Sequence, residues 1–355
     1  ISEPLHRMLQ FAETIRLSRG LFPLWNDAAY DIANPLDEVV SWVRQLLGQP
    51  STDATDALHE RLLQASGICQ AASIATQKSL ITSSLLSDSG YYILRNATGI
   101  ELTFDCAPPC PHELPPHAHA DCLTIDLYWQ GQPVIVDTGT SEYSSGTIRS
   151  YERSTLAHNT VAIANQNQSE IWGSFRVGRK AQPNNVQYGT FQEWQWVSAA
   201  HNGYTHPPLE AWHQRWVGLG TNAIVILDRL ETALATEYIS RLHFAPGLSL
   251  IREPETQVYA CELETTCLYI QCLGLTADDE VKWFDADTSE SWYAPEFGRR
   301  YPRGYLQIQG SLLPNSKIFC LVLTLDSRPK MTWTWHNQQG KLQFENGEIL
   351  TWHFQ

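Results

Sequence analysis

No stretch of the 355-residue chain approaches the roughly twenty consecutive apolar residues that a membrane-crossing helix needs, so a helical membrane protein is excluded. Basic side chains are in deficit, 24 Lys and Arg against 38 Asp and Glu, for a formal net charge of -14. A phosphate backbone calls for the opposite balance, which excludes nucleic acid as a partner. The eight cysteines, at 69, 106, 110, 122, 261, 267, 272 and 320, include no CxxC pair. Cys106 and Cys110, in CAPPC, are spaced to close a small loop in an oxidising compartment, and several of the others sit in apolar strands where a free thiol behaves as a small hydrophobe. The chain opens on Ile1 with no basic segment leading into an apolar one, and so reads as lacking a signal peptide. A fixed-period repeat is missing too, which argues against a propeller, and low-complexity segments are absent.

What is present is an ordinary globular composition, 43% hydrophobic and 17% charged, in a chain long enough for a large core and two domains. Thirteen tryptophans and fourteen tyrosines are many for this length; aromatic rings fill strands of a sandwich or stack on sugar faces. Leu5, Met8, Leu9, Ala12 and Ile15 recur at helical spacing, predicting a helix that stops near Gly20. A loop, LFPLWNDAAYD, follows with Pro23 and an Asn26-Asp27 pair, then a second helix from about Leu36 to Leu47 and a weaker third from about Thr55 to Ala65. From about Ile81 the period changes. Short alternating or apolar runs such as GYYILRN, IELTFDC, PVIVD, NAIVILDRLE and IFCLVLTLD stand between Gly, Asn, Asp and Pro. Many strands without intervening helices predict antiparallel sheets stacked face to face.

The stretch from His117 to His158 concentrates the chemistry. It places His117, His119 and Asp121 at alternate positions, then a strand-like run from Leu123 to Trp129, a turn at Gln130 to Pro133, Asp137, and His158 before a further strand. Zinc accepts neutral imidazole and carboxylate oxygen, commonly with three protein ligands and one open position. A hairpin would bring His119 and Asp137 together, and the expected ligand set is His119, Asp137 and His158 around one Zn2+ ion. The competing reading makes both histidines buried and hydrogen-bonded.

The same stretch carries a resemblance. HxHxD, a hydrophobic hairpin ending in DTG, RSYERSTLAHNTV and QSEIWGSFRVGRKA, followed by HNGY, WHQRWV, LDRLE and LHFAP, resemble the C-terminal domain of the heparinase II/III family of polysaccharide lyases. The resemblance implies a mainly β fold, a large antiparallel β-sandwich over 79–355, preceded by a helical segment over 1–78 that looks like the tail of a truncated α/α toroid. It also implies a zinc site that braces the fold beside the cleft, with His117 facing the substrate. The implied substrate is an acidic, uronic-acid polysaccharide, and the implied location periplasmic or secreted.

A lyase of this kind removes the C5 proton of a uronic acid and expels the oxygen at C4. It needs a group to neutralise the carboxylate, a base and an acid. His117 suits the neutralising or acid/base role, or else a second place around the metal. Tyr143 is the expected phenolic proton carrier, with Tyr151 read as packing, and Arg149 and Arg153 are expected to hold the substrate carboxylate. Arg176, Arg179 and Lys180 complete a basic patch on a chain that otherwise repels a polyanion. The family's lyases also draw an Asn or His and a Tyr from the toroid, and nothing in 1–80 matches them, so the chain alone is expected to be nearly inactive. Two other readings stay open: zinc-dependent hydrolysis with Asp121 or Glu142 as base, and a zinc-stapled carbohydrate-binding or structural domain without activity.

Overall fold

The computed structural model describes residues 2–50, 83–111, 113–254, 257–286, 291–336 and 339–353. Two helices open it, α1 (Ser2–Ile15) and α2 (Leu36–Leu46), joined by a hydrogen bond of 2.6 Å from Arg44 Nε to Glu13. The helix expected to reach Gly20 stops at Ile15 because the next backbone groups are claimed by the sheet. Arg95 donates to the Arg16 carbonyl at 2.7 Å, and Glu101 accepts the Ser18 N–H at 3.0 Å. The third expected helix and the expected boundary between 78 and 79 lie outside the described residues.

The first sheet is an antiparallel meander of β1 (Ser84–Leu86), β2 (Tyr91–Arg95), β3 (Ile100–Asp105), β4 (Ile125–Trp129) and β5 (Gln132–Ile135). Gln130 and Gly131, at φ 50° and 75°, make the two-residue β4–β5 turn, whose twist matches that of the strands. Pro133, expected in that turn, is instead in β5 opposite Tyr128, on an edge strand where its missing N–H is tolerated. A short helix α3 (Thr147–Glu152) follows, then β6 (Val161–Ile163) and a small hairpin of β7 (Ile171–Trp172) and β8 (Arg176–Val177).

An eight-stranded sheet is built from β9 (Pro183–Phe191), β10 (Trp194–His201), β11 (Ala211–Leu219), β12 (Ala223–Thr232), β14 (Ile251–Arg252), β15 (Val258–Glu262), β16 (Cys267–Leu273) and β21 (Asn315–Leu325), in the order β14-β15-β16-β21-β12-β11-β10-β9. β13 (Thr236–His243), β17 (Glu280–Phe284) and β20 (Tyr305–Leu312) join β6 in a four-stranded sheet. β18 (Trp292–Tyr293) pairs with β19 (Tyr301–Pro302), and β22 (Met331–His336), β23 (Gln339–Phe344) and β24 (Ile349–His353) form a terminal meander.

Alternation explains the layers. In β16, Leu268, Ile270 and Cys272 are buried while their neighbours are half-buried. β12 is apolar on both faces: Ile224 and Ile226 enter the main core between the large sheets, whereas Val225 and Leu227 enter a second core shared with the terminal meander. That double burial is why AIVIL reads as a continuous run. The fold is therefore mainly β with stacked antiparallel sheets, as the sequence patterns predict.

Inside the eight-stranded sheet, fully buried Asp228 accepts from Arg215 Nε at 2.8 Å and Nη2 at 3.0 Å, and His213 Nε2 lies 2.7 Å from it. Burial alone would raise this carboxyl, but the neighbouring Arg215 and His213 overturn that and bring it down to about 2. Because the folded value lies below the unfolded one of about 3.9, the stabilisation is present above pH ~4 and is lost as pH falls toward 2. Asp228→Asn is expected to cost about 3–5 kcal/mol at neutral pH and to flatten the acid limb of the stability curve. Denaturant titrations across that pH range check this, and a variant with the parent's stability and acid sensitivity would refute it.

Candidate functional site

The site begins in the loop that sequence patterns pass over. Residues 17–31 are strapped across the first sheet. Leu17 packs with Ile93 and Tyr128, Leu24 with Val136 and Tyr293, and the Tyr30 N–H reaches the Pro295 carbonyl at 2.7 Å. This strap delivers Asp27, whose side chain is almost fully buried. One of its oxygens meets His119 Nε2 at 2.8 Å and the other meets His117 Nδ1 at 2.9 Å, while Arg149 grips both with its two terminal nitrogens. Burial by itself would raise Asp27, yet hydrogen bonds and charge from His119 and Arg149 hold it well below the usual carboxylate range. Asn26 fixes the backbone beside it, accepting the His119 N–H at 3.1 Å.

His117 and His119 are not on one strand face, as an extended segment would place them. His117 ends a 3-10 turn, Pro115–His117, and the two rings meet through the shared carboxylate. His119 is fully buried, and the side chain of His117 is 49% exposed. His158 lies in the loop ahead of β6, its Nδ1 2.6 Å from Asp137 Oδ2, and its ring centroid is 5.3 Å from that of His119.

Four atoms converge with no partner among the described residues: His119 Nδ1, His158 Nε2 and both oxygens of Asp121. Buried polar atoms left this way cost free energy unless something binds them. Ligand atoms of His119, Asp121 and His158 all lie within 4.8 Å of one another, so this cluster could hold a metal ion. Both carboxylate oxygens of Asp137, the acid of the expected set, are engaged, one by His158 and the other by the Gly139 N–H at 2.9 Å. Burial lowers His158, but the adjacent Asp137 and Asp121 outweigh it and raise it. Burial also raises Asp121 despite the opposing pull of His158 and His119. A cation would relieve this crowding of buried acids.

Tyr143 stands beside His117, ring centroids 6.0 Å apart, with Phe175 and Phe297 completing an aromatic rim at 5.5 and 5.0 Å from Tyr143. Burial and the charge of Asp27 raise its phenol, and Arg149, 5.1 Å from the ring centroid, opposes them. Arg149 and Arg153, expected to hold substrate, are fully buried and face inward. Arg149 is spent on Asp27 and the Ser174 carbonyl, and Arg153 donates to the carbonyls of Ala118 at 3.0 Å and Gly173 at 2.8 Å. At positions i and i+4 on and just beyond α3 they share one face, which is the inner one. Tyr151 packs against Trp292 at 4.8 Å. Of the other expected basic residues, Arg179 pairs with Glu170, whereas Arg176 is exposed next to Phe175.

Asp27→Asn removes the charge, and one of the two acceptor oxygens, that Arg149, His119, His117 and Thr140 share. We expect a loss of about 3–5 kcal/mol in chemical denaturation, since an unpaired Arg149 would remain buried. A loss under about 1 kcal/mol would show that Asp27 does not hold the site together.

The model of the Heparinase II/III-like, C-terminal domain matches residues 80–336. No curated protein matches the chain. Among solved structures, heparan sulfate lyase HepC from Pedobacter heparinus superposes with a TM-score of 0.71 at 16% identity, covering 98% of this chain and 52% of that one. A crystal structure of heparinase III gives 0.70 at 14% identity, with 99% and 54% covered, and a heparinase III with methylated lysines gives 0.72 at 15%, with 98% and 52%. The likeness at these identities is one of fold, and the chain spans about half the length of the structures it matches. With its sheets, its HxHxD segment and most of its length accounted for by one family model, the chain belongs to the heparinase II/III-like family through that family's C-terminal domain.

Proposed function

We propose that this chain carries the β-domain share of a polysaccharide lyase site, one that cleaves uronic-acid polysaccharide by β-elimination. The observation that supports this reading most directly is the Asp27 carboxylate held between an exposed His117 and a buried His119. A carboxylate only accepts, so His117 Nδ1 carries the proton and Nε2 is left for substrate. In this reading His117 neutralises the uronate or moves its proton. The Tyr143 phenol, kept protonated by its surroundings, gives a proton to the departing oxygen. Arg176, exposed beside Phe175, supplies the positive charge that the buried Arg149 and Arg153 do not. The chain alone is expected to turn over little, with further catalytic groups coming from helices of the toroid type. A polymeric substrate of this class implies a periplasmic or secreted enzyme.

The unpaired atoms suit Zn2+, held by His119, His158 and one acid. When bound, the ion would supply positive charge at the buried His119 and His158 and rigidity to their loops. The set with Asp137 and the set with Asp121 separate by metal content. His119→Ala and His158→Ala are expected to lose the ion. Asp121→Asn joins them if Asp121 is the ligand, while Asp137→Asn, which then only frees His158, weakens binding about 10–100-fold. The reverse ranking makes Asp137 the ligand, and variants that all retain zinc end the metal reading.

Activity is tested by offering heparan-like, alginate-like and bacterial exopolysaccharide substrates to the protein with its native flanking sequence and following the absorbance of the unsaturated uronate. His117→Ala should lose about 10²–10⁴-fold while keeping its zinc. Saturated ends would point instead to zinc-dependent hydrolysis, and binding without turnover to a zinc-stapled carbohydrate-binding domain.

A further inference from the structure

The outer face of the eight-stranded sheet carries an aromatic groove, far in sequence from the histidines. A groove of about 410 Å³ lies there between β9, β10, β11 and β24, within the range of ligand-binding clefts. Its lining, which includes Gln187, Phe191, Trp196, Gln214, Trp216 and Trp352, holds no charged residue and none from the His117 site.

The pairing register explains its shape. Trp196 stands between two glycines, opposite Gly189 on β9 and Gly218 on β11. A Cβ at Gly189 would come 3.2 Å from the Trp196 ring, and one at Gly218 would run into the Trp216 ring. Glycine is therefore needed for these indoles to lie down across the sheet instead of standing on it. The rings of Trp196 and Trp216 are tilted only 21° from each other, with centroids 6.3 Å apart, which makes a shelf. Trp216 and Trp352, 8% and 6% exposed, form its floor, and Phe191, 51% exposed, its lip. Filling a core accounts for the floor and for the side of Trp196 that packs on it; it does not account for the open side of Trp196 or for the exposed Phe191.

We infer that this shelf binds an uncharged, β-1,4-linked hexopyranose chain. Flat indole faces match the C–H faces of such a ribbon, and the amides of Gln187 and Gln214 with the hydroxyls of Thr190 and Ser198 match its hydroxyl edges. A uronate polymer would find no cation in the groove, and a basic peptide no anion. The site is thus distinct in ligand from the acidic polysaccharide proposed for His117, and neither reading depends on the other.

The test titrates the protein with cellohexaose, with the N-acetylglucosamine hexamer and with hexagalacturonate, reading tryptophan fluorescence and heat. At least one neutral hexamer should bind, and Trp196→Ala should leave unchanged any binding of hexagalacturonate, which the His117 site would take. Trp196→Ala should weaken binding tenfold or more, and exposed Gln187→Ala, which leaves the sheet intact, several-fold. His117→Ala should bind as the parent does. Failure of both neutral hexamers at millimolar concentration, acidic-hexamer binding that Trp196→Ala weakens to the same extent, or undiminished neutral-hexamer binding by Trp196→Ala and Gln187→Ala overturns the proposal. So does a concentration-dependent dimer abolished by Trp196→Ala, which would make the face a contact between two copies.

Discussion

An ionised carboxylate taken out of water must be matched on every side, and Asp27 is the place where this fold meets that demand. Arg149 supplies the charge, and the two imidazoles and the Thr140 hydroxyl supply further donors. The consequences run outward from there. Because Asp27 takes the N–H of His119 at Nε2, the lone pair at Nδ1 is turned toward Asp121 and His158. Because it also takes His117 Nδ1, that ring is steadied while still half in solvent. A single acid thereby sets the tautomer of one buried histidine and the orientation of an exposed one.

The loops bearing these groups lack the hydrogen-bond ladder of a sheet, so their carbonyls need other donors. Buried guanidinium groups provide them one loop at a time. Arg153 serves Ala118, between the two histidines. Arg303 serves Val136 at 2.8 Å and Asp137 at 3.0 Å, and Arg215 serves Leu123 and also Asn159, next to His158. Arg215 is itself fixed by Asp228, which also holds His213, so the loop bearing His158 is anchored to the middle of the eight-stranded sheet. Asn159 extends the same bracing, donating to the Ile125 carbonyl at 2.7 Å and accepting the His243 N–H at 2.7 Å.

Much of this was legible in the chain itself, where physics is local. Period-two alternation gave the strands, and the HxHxD segment with His158 gave the two imidazoles of the cluster. Long-range contacts were not legible. Asp27 sits 90 residues from His117 in a loop with no periodicity, and its only signal was an Asn-Asp pair between Trp25 and Tyr30. Arg149 and Arg153 drew a substrate role from their charge, because charge usually marks a surface. Their spacing of four would have placed them on one side of a helix, but nothing in a sequence says which side faces in. For the carboxylate beside the two buried imidazoles, Asp121 and Asp137 are equivalent by residue type. They differ only in what already occupies their oxygens, and that is a property of coordinates.

The strap that carries Asp27 also bears on what counts as a module here. The segment recognisable by family likeness starts at residue 80, yet the residue that organises its histidines comes from position 27 and is clamped there by Glu101, Pro295 and Tyr293. Inheritance and architecture therefore draw different borders. Any shuffling of this β-domain onto a new partner, by recombination or in the laboratory, has to bring along a short upstream ribbon that similarity searches would discard.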